Sequence, residues 1–209
     1  MKILVAIPCM DMVHTSFLQA LIGLRRVGDT RVSFQVSSLV YDARNNLAKQ
    51  AVTEGYDRVL WLDSDMVFAP DFLERLSADM DEGREMVCGL YFKRRPNFSP
   101  VIYKELNYTN NDEKMEVNVK LTPYEDYPKD VIFKIAACGF GGVLMSTDLI
   151  NRIGNAYGLP FSPAIGLGED LSFCLRAGLL GAEMYCDSRA KMGHVGFMTV
   201  TEETYLSTR

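Results

Sequence analysis

Long apolar runs are missing from this chain of 209 residues. No stretch approaches the roughly 20 residues needed to cross a bilayer. The amino-terminal Met1 to Pro8 run is too short for a secretory leader and lacks a small-residue cleavage pattern. The expectation is no membrane span and a cytoplasmic location. Cysteine is sparse and scattered: Cys9, Cys88, Cys138, Cys174 and Cys186 show no Cys-x-x-Cys spacing. That excludes a sequence-readable zinc site or disulfide framework and fits a reducing compartment. Basic charge is in deficit, 22 Lys and Arg against 27 Asp and Glu, which opposes nonspecific nucleic-acid binding. Lys93-Arg94-Arg95 is the only compact basic cluster. A Gly-x-Gly-x-x-Gly after the first strand is absent, so the dinucleotide fingerprint is excluded. Pro8 to Thr15 contains no Lys, Arg or Gly, which leaves no glycine-rich basic loop there.

What is present is an ordinary globular composition, 48% hydrophobic and 23% charged, enough for one well-buried core and one domain. Lys2 to Ile7 reads as a buried strand stopped by Pro8, followed by a helix capped by Thr15 or Ser16 that buries Phe17, Leu18, Leu21 and Ile22. Arg31 to Ser37 is the next strand, and Asp42 then caps a helix with Leu47, Ala48 and Ala51 on one face, ended near Gly55. After a strand that starts at Val59 and carries Asp63 and Asp65, Pro70 opens a helix from Asp71 to about Met80, and Met86 to Tyr91 is again a strand. This alternation predicts an α/β fold: a Rossmann-like single domain with a mainly parallel central sheet flanked by helices. Ligands on such sheets bind outside the carboxyl ends of the strands, where Pro8, Ser38 and the segment Asp63 to Asp65 gather.

The segment Val59-Leu60-Trp61-Leu62-Asp63-Ser64-Asp65 is the most informative stretch. It reads as a buried strand, and alternation then points Asp63 and Asp65 to one face. Two such carboxylates suit a divalent cation and the phosphates it carries, because hard cations take oxygen ligands. A strand ending in a solvated Asp-Ser-Asp turn has the same pattern.

Beyond residue 92 the character changes. Pro96, Pro100, Pro123 and Pro128, a polar Asn107 to Lys114 stretch and the alternating Glu116 to Leu121 segment read as a long loop plus a hairpin, shaping an acceptor site and partly mobile. Phe98, Tyr103, Tyr108 and Tyr124 are its candidate stacking residues. A buried run, Val131 to Ala137, leads into Cys138-Gly139-Phe140-Gly141-Gly142, a strand at Val143 to Met145 and a helix capped by Thr147; the glycines suit a strand bend or close approach to a ligand. Gly166 to Gly178 reads as an amphipathic helix with Glu169 and Asp170 in its first turn, where acidic residues cap by dipole or face a substrate. His194 stands between Gly193 and Val195-Gly196, as a satisfied loop residue or as a metal ligand.

Taken in order, Pro8, Ala43-Arg44-Asn45, Asp63-Ser64-Asp65, Gly168-Glu169-Asp170 and His194 resemble the GT-A fold glycosyltransferases, especially those like family 2, over residues 2 to 196. The resemblance implies a single domain, residues 1–92 forming the nucleotide-sugar half and residues 93–209 the acceptor side. It implies Mn2+ or Mg2+ held by Asp63, Asp65 and His194, the nucleotide contacted by Pro8, Arg44, Asp63 and Ser64, and Asp170 as catalytic base with Glu169 beside it. The implied activity is transfer from a nucleoside-diphosphate sugar, UDP-sugar favoured, to an acceptor hydroxyl on a glycan, lipid-linked sugar, protein or modified nucleic acid. A retaining reaction would instead have Asp170 position a sugar hydroxyl. A nucleotidyltransferase on the same sheet type and a noncatalytic nucleotide-sugar or glycan-binding module are the competing readings. One position departs from the pattern: where an acidic base or ribose reader often follows the second strand, this chain has Ser37-Ser38.

Overall fold

The computed structural model describes residues 1–94, 97–111, 116–196 and 199–207. Arg95, Pro96 and part of the polar stretch before Lys114 lie outside the described residues. Along the chain the elements are β1 (Lys2–Cys9), α1 (Thr15–Gly23), β2 (Asp29–Val36), α2 (Val40–Thr53), β3 (Arg58–Leu62), β4 (Met66–Phe68), α3 (Phe72–Asp81) and β5 (Met86–Leu90). There follow β6 (Ile102–Asn111), β7 (Glu116–Pro123), β8 (Ile132–Ile135), β9 (Ala137–Cys138), β10 (Gly142–Ser146), α4 (Thr147–Tyr157), α5 (Glu169–Leu179), β11 (Met184–His194) and α6 (Glu202–Leu206).

The main sheet runs β2-β1-β3-β10-β5-β11-β4, with β8 on the first part of β11. β1 pairs in parallel with β2 and β3, and β5 in parallel with β11. Only β10, β4 and β8 run the other way among the described strands. β10 enters between β3 and β5, antiparallel to both. The expected β-α-β rhythm holds for β1, β2, β3 and β5, with the short β4 following β3 directly, and the inserted strand comes from far along the chain. β6 and β7 form the expected hairpin, a separate small sheet joined by β9.

Helices cover both faces because the central strands are apolar on both. Ile3, Val5 and Ile7 of β1 pack with Phe17, Leu73 and Leu76 from α1 and α3. Leu4 and Ala6 pack on the opposite side with Leu47, Ala48 and Ala51 of α2, Leu149 and Ile153 of α4 and Phe173 of α5. Burial of these side chains, worth roughly 1.5–3 kcal/mol each, is the main force holding the layers together.

Several local expectations are corrected. Pro8 does not stop β1, which runs to Cys9; β3 pairs only as far as Ala6, so the missing N–H of Pro8 falls where no partner strand needs it. Neither Thr15 nor Ser16 caps α1, since His14 holds that place without a side-chain bond, and Asp42 lies in the first turn of α2 behind Leu39. Ser146, not Thr147, caps α4 by accepting from the Leu149 N–H at 3.1 Å. Among the described residues of segment 93–130 the hairpin strands start at Ile102 and end at Pro123, and Tyr103, expected to be free for stacking, is buried in the core, as is Tyr127. The glycines of 139–142 serve packing: a Cβ on Gly139 or Gly141 would meet Tyr91, and one on Gly142 would meet Met192.

Candidate active site

The parallel strands bring the carboxyl ends of β1, β2, β3, β5 and β11 to one edge, and a cleft of about 390 Å³ opens there. Pro8 and Cys9 leave β1, Ser37 and Ser38 leave β2, Arg44 rises from α2, and Asp63, Ser64 and Asp65 follow β3; Arg94, Glu169 and His194 complete the wall. The chain therefore gathers Pro8, Arg44, Asp63, Ser64, Asp65, Glu169 and His194 in one place, as the sequence predicts.

Asp63 and Asp65 do not share a strand face. β3 ends at Leu62, and residues 63–65 form a turn before β4, with the Met66 N–H bonded to the Asp63 carbonyl at 3.2 Å. The strand alternation used to align the two carboxylates stops one residue too early, and they diverge. Asp63 faces Arg44, whose Nη2 donates to Asp63 Oδ1 at 2.7 Å while its Nε donates to Glu169 Oε1 at 3.2 Å. Arg44 is only 2% exposed and lies between the rings of Trp61 and Phe140, at 5.6 and 5.4 Å. Burial works against its charge, but Asp63, Glu169 and Asp170 outweigh it and hold the guanidinium pKa above the usual value. Arg44 thus ties the strand turn to the start of α5.

Asp65 turns to the other side. Its Oδ2 accepts from Arg94 Nη1 at 2.6 Å and stands 3.4 Å from His194 Nε2. The second nitrogen of His194 bonds the Phe92 carbonyl at 2.9 Å, and the Asp65 carbonyl accepts from the Val195 N–H at 2.8 Å. Burial lowers the His194 pKa, yet Asp65 and the Phe92 carbonyl raise it above the ordinary value. Burial likewise raises the Asp65 carboxyl, and His194 and Arg94 overcome this to hold it below the usual range.

Glu169 and Asp170 part company at the first turn of α5, as helical geometry requires of neighbours. Glu169 lines the cleft on Arg44; Asp170 is outside that lining and accepts from the Leu171 N–H at 2.7 Å. Burial first, then the Glu169 charge, push the Asp170 pKa up to about 6. The helix terminus, which should lower it, is outweighed. The Asp170 charge is felt by Tyr103, pushed up to about 12 chiefly by burial, and by Cys138 and Cys174. Next to α5, a Cβ on Gly166 would lie 3.5 Å from Val119 and 3.6 Å from Val117, so the hairpin adjoins the loop that leads to Asp170. Three of the four candidate stacking residues are used internally: Tyr103 is buried, Phe98 packs against the core and Tyr124 packs edge-on against Phe133 at 5.2 Å.

Arg94 is the residue that sequence reasoning missed. Its signal was the one compact basic cluster, placed just beyond the carboxyl end of β5. The Phe92 carbonyl and the Gly141 backbone carried no signal; Gly141 donates to Tyr91 Oη at 3.2 Å and accepts from the Asp63 N–H at 3.3 Å.

Residues 37–145, just over half of the chain, match the model of Glycosyl transferase family 2. The chain belongs to glycosyltransferase family 2. The match contains Arg44, Asp63, Asp65 and Arg94 and stops before Glu169, Asp170 and His194. Among solved structures, A197 from STIV superposes with a TM-score of 0.67 at 20% identity, covering 94% of this chain and 86% of its own. GalNAc-T7, solved with UDP, GalNAc and Mn2+, superposes with a TM-score of 0.61 at 12% identity, covering 99% of this chain. This chain spans 47% of that protein's length. At such identities the likeness concerns the fold, and both support a GT-A glycosyltransferase fold. No curated protein sequence matches the chain. No helix among the described residues is long and apolar enough to cross a membrane.

Proposed function

We propose that this family 2 glycosyltransferase moves a sugar from a nucleoside-diphosphate sugar, with a UDP-sugar favoured, to an acceptor hydroxyl, with Mn2+ or Mg2+ at Asp65 and His194. The observation that carries the reading is the orientation of His194. The Phe92 carbonyl can only accept, so Nδ1 carries the proton there, and in the neutral ring Nε2 would turn a lone pair toward Asp65, the arrangement that outer-shell partners impose on a metal-ligating imidazole. No group of three or more His, Cys, Asp or Glu gathers as a metal site among the described residues. Two protein ligands suffice for this chemistry, because Mg2+-like ions bind through one or two carboxylates with water and substrate phosphates supplying the rest. The GalNAc-T7 structure with UDP and Mn2+ lends support to the choice of nucleotide and ion.

The bound ion would stabilise charge on the departing diphosphate. The protein's own groups do the remaining work. Pro8, Ser37, Ser38 and Ser64 line the nucleotide side, and Asp63 is held there by Arg44. Ser37 and Ser38, small and neutral, stand where the base or ribose would be read. Asp170 accepts the proton of the attacking hydroxyl, and a pKa of about 6 suits a base near neutral pH. We read residues 1–92 as the donor half and 93–209 as the acceptor half, with Glu169 and His194 reaching back from the second into the donor cleft.

Calorimetric titration with UDP, with and without Mn2+, tests the reading. The parent protein should bind UDP in a Mn2+-dependent way, and Asp65→Asn and His194→Ala should each lose that dependence while unfolding at nearly the parent temperature without ligand. Equal Mn2+-dependent affinity in either variant removes that residue from the ion. A panel of nucleotide sugars screened for donor hydrolysis then identifies the sugar.

A further inference from the structure

We propose that Arg94 is an internal counter-cation of the donor site: it neutralises Asp65 before the metal arrives, gives way to the divalent ion, and then pairs with the donor diphosphate. This rests on the metal-dependent reading above.

The argument starts from one oxygen. Oδ2 of Asp65 is the atom nearest both Arg94 Nη1, at 2.6 Å, and His194 Nε2, at 3.4 Å. An ion held by Asp65 and His194 would sit on the same side of Asp65 that Arg94 occupies. A guanidinium hydrogen-bonded there occupies the direction of approach and repels a dication at short range. The two cations therefore compete, and the outcome depends on how firmly Arg94 is held.

It is held loosely, in contrast to Arg44. Arg44 is 2% exposed, bonded to two carboxylates and enclosed by two aromatic rings, so its displacement would strand buried charge. Arg94 is 46% exposed, with one carboxylate and the Val195 carbonyl, at 3.0 Å, as its partners. Ion pairs this open to water are weak. A divalent ion removes Arg94 and leaves Arg44 in place. The backbone supports such an exchange: Phe92 bridges to Pro100 and the Lys93 N–H bonds the Ser99 carbonyl at 3.0 Å, so the side chain can leave while the Phe92 carbonyl continues to orient His194.

Once released, Arg94 remains on the wall of the cleft that Pro8, Ser37 and Ser38 also line. A diphosphate delivered with the ion restores negative charge there, and the planar guanidinium fork matches phosphate oxygens. The net effect is coupling: the ion and the nucleotide each bind better when the other is present, and a lone ion meets resistance.

Isothermal titration of the full chain with Mn2+ alone and with Mn2+ plus UDP, in the parent and in Arg94→Gln, tests this. The variant should bind Mn2+ alone roughly tenfold tighter than the parent, and UDP should improve that binding less than it does in the parent. Asp65→Asn should abolish the Mn2+ heat in both backgrounds. If the parent binds Mn2+ with UDP but Arg94→Gln takes Mn2+ alone no more tightly, Arg94 is not the competitor and the proposal falls while the metal reading stands. If neither protein binds Mn2+ even with UDP, or if Asp65→Asn keeps the heat, the proposal falls together with the metal reading.

Discussion

Arg44 and Asp63, on α2 and just beyond β3, are joined by a 2.7 Å ion pair in which the arginine is buried and the aspartate is 35% exposed. Glu169 accepts from Nε of the same guanidinium. Arg44→Ala would leave Glu169 short of its partner and remove the cation between Trp61 and Phe140. Breaking a fully buried pair from one side costs about 3–5 kcal/mol. Because Asp63 keeps solvent contact, a loss of roughly 2 kcal/mol is expected, read as a lower urea midpoint with an unchanged slope. The donor Michaelis constant should also rise more than turnover falls, since Arg44 lines the cleft beside Asp63 and bonds Glu169 rather than the proposed base, Asp170. An unchanged midpoint would show that the pair contributes nothing to the fold.

How far the sequence foretold this arrangement depends on whether the signal was local. Ile3 to Ile7 form a continuous apolar run, and the helix faces of Leu47, Ala48 and Ala51 and of Leu73 and Leu76 repeat at helical spacing; the layers follow from these alone. β10 is different. Val143 to Met145 reads as a strand, but its insertion between β3 and β5, against their direction, is set by partners far away in the chain. The site was legible in its residues more than in its geometry. Asp63 and Asp65 both line the cleft, yet the strand stops at Leu62 and sends them to different partners. Arg94 lay within a visible basic cluster, but only the folded chain brings it onto Asp65.

The hairpin yields a prediction opposite to the one its prolines suggest. Leu106 pairs with Leu121 and Tyr108 with Val119, and the base of β6 is anchored by buried Ile102 and Tyr103. Amide exchange in the free protein should be slow at Leu106 and Leu121, comparable to other small paired sheets and slower than at Asp126 in the following turn. Donor and acceptor together should add protection near Val117 and Val119, which adjoin Gly166 ahead of Asp170. Exchange at Leu106 as fast as in an unstructured peptide would mean that the hairpin is not docked.

Glu169 and Asp170 should separate in a donor-binding assay. Glu169 bonds Arg44 within the cleft at the strand ends, the proposed donor site, whereas Asp170 does not line it. Glu169→Gln should therefore weaken donor binding several-fold with a modest loss of turnover, and Asp170→Asn should leave donor binding little changed. If Glu169→Gln abolishes turnover with donor affinity intact while Asp170→Asn stays active, their roles are reversed.

As the proposed base, Asp170 would tie turnover as well as stability to pH. Burial and the Glu169 charge raise its pKa to about 6, above the usual aspartate value near 3.9. A base must be ionised to work, so turnover divided by the Michaelis constant should fall as pH drops through about 6. Asp170→Asn should cut turnover by at least ~100-fold and remove that limb of the profile. The stability effect has the opposite sign from that of a salt-bridged carboxylate. Between the ordinary value and about 6 the folded protein holds the proton more tightly than the unfolded chain, so stability declines as pH rises through that window. Above it the full cost of keeping a buried carboxylate ionised is present. Asp170→Asn should consequently unfold at a higher temperature than the parent at pH 7.5, with the difference shrinking toward pH 4. A variant that is inactive but equally less stable at both pH values would assign Asp170 to the framework of α5; an active one would place the base elsewhere.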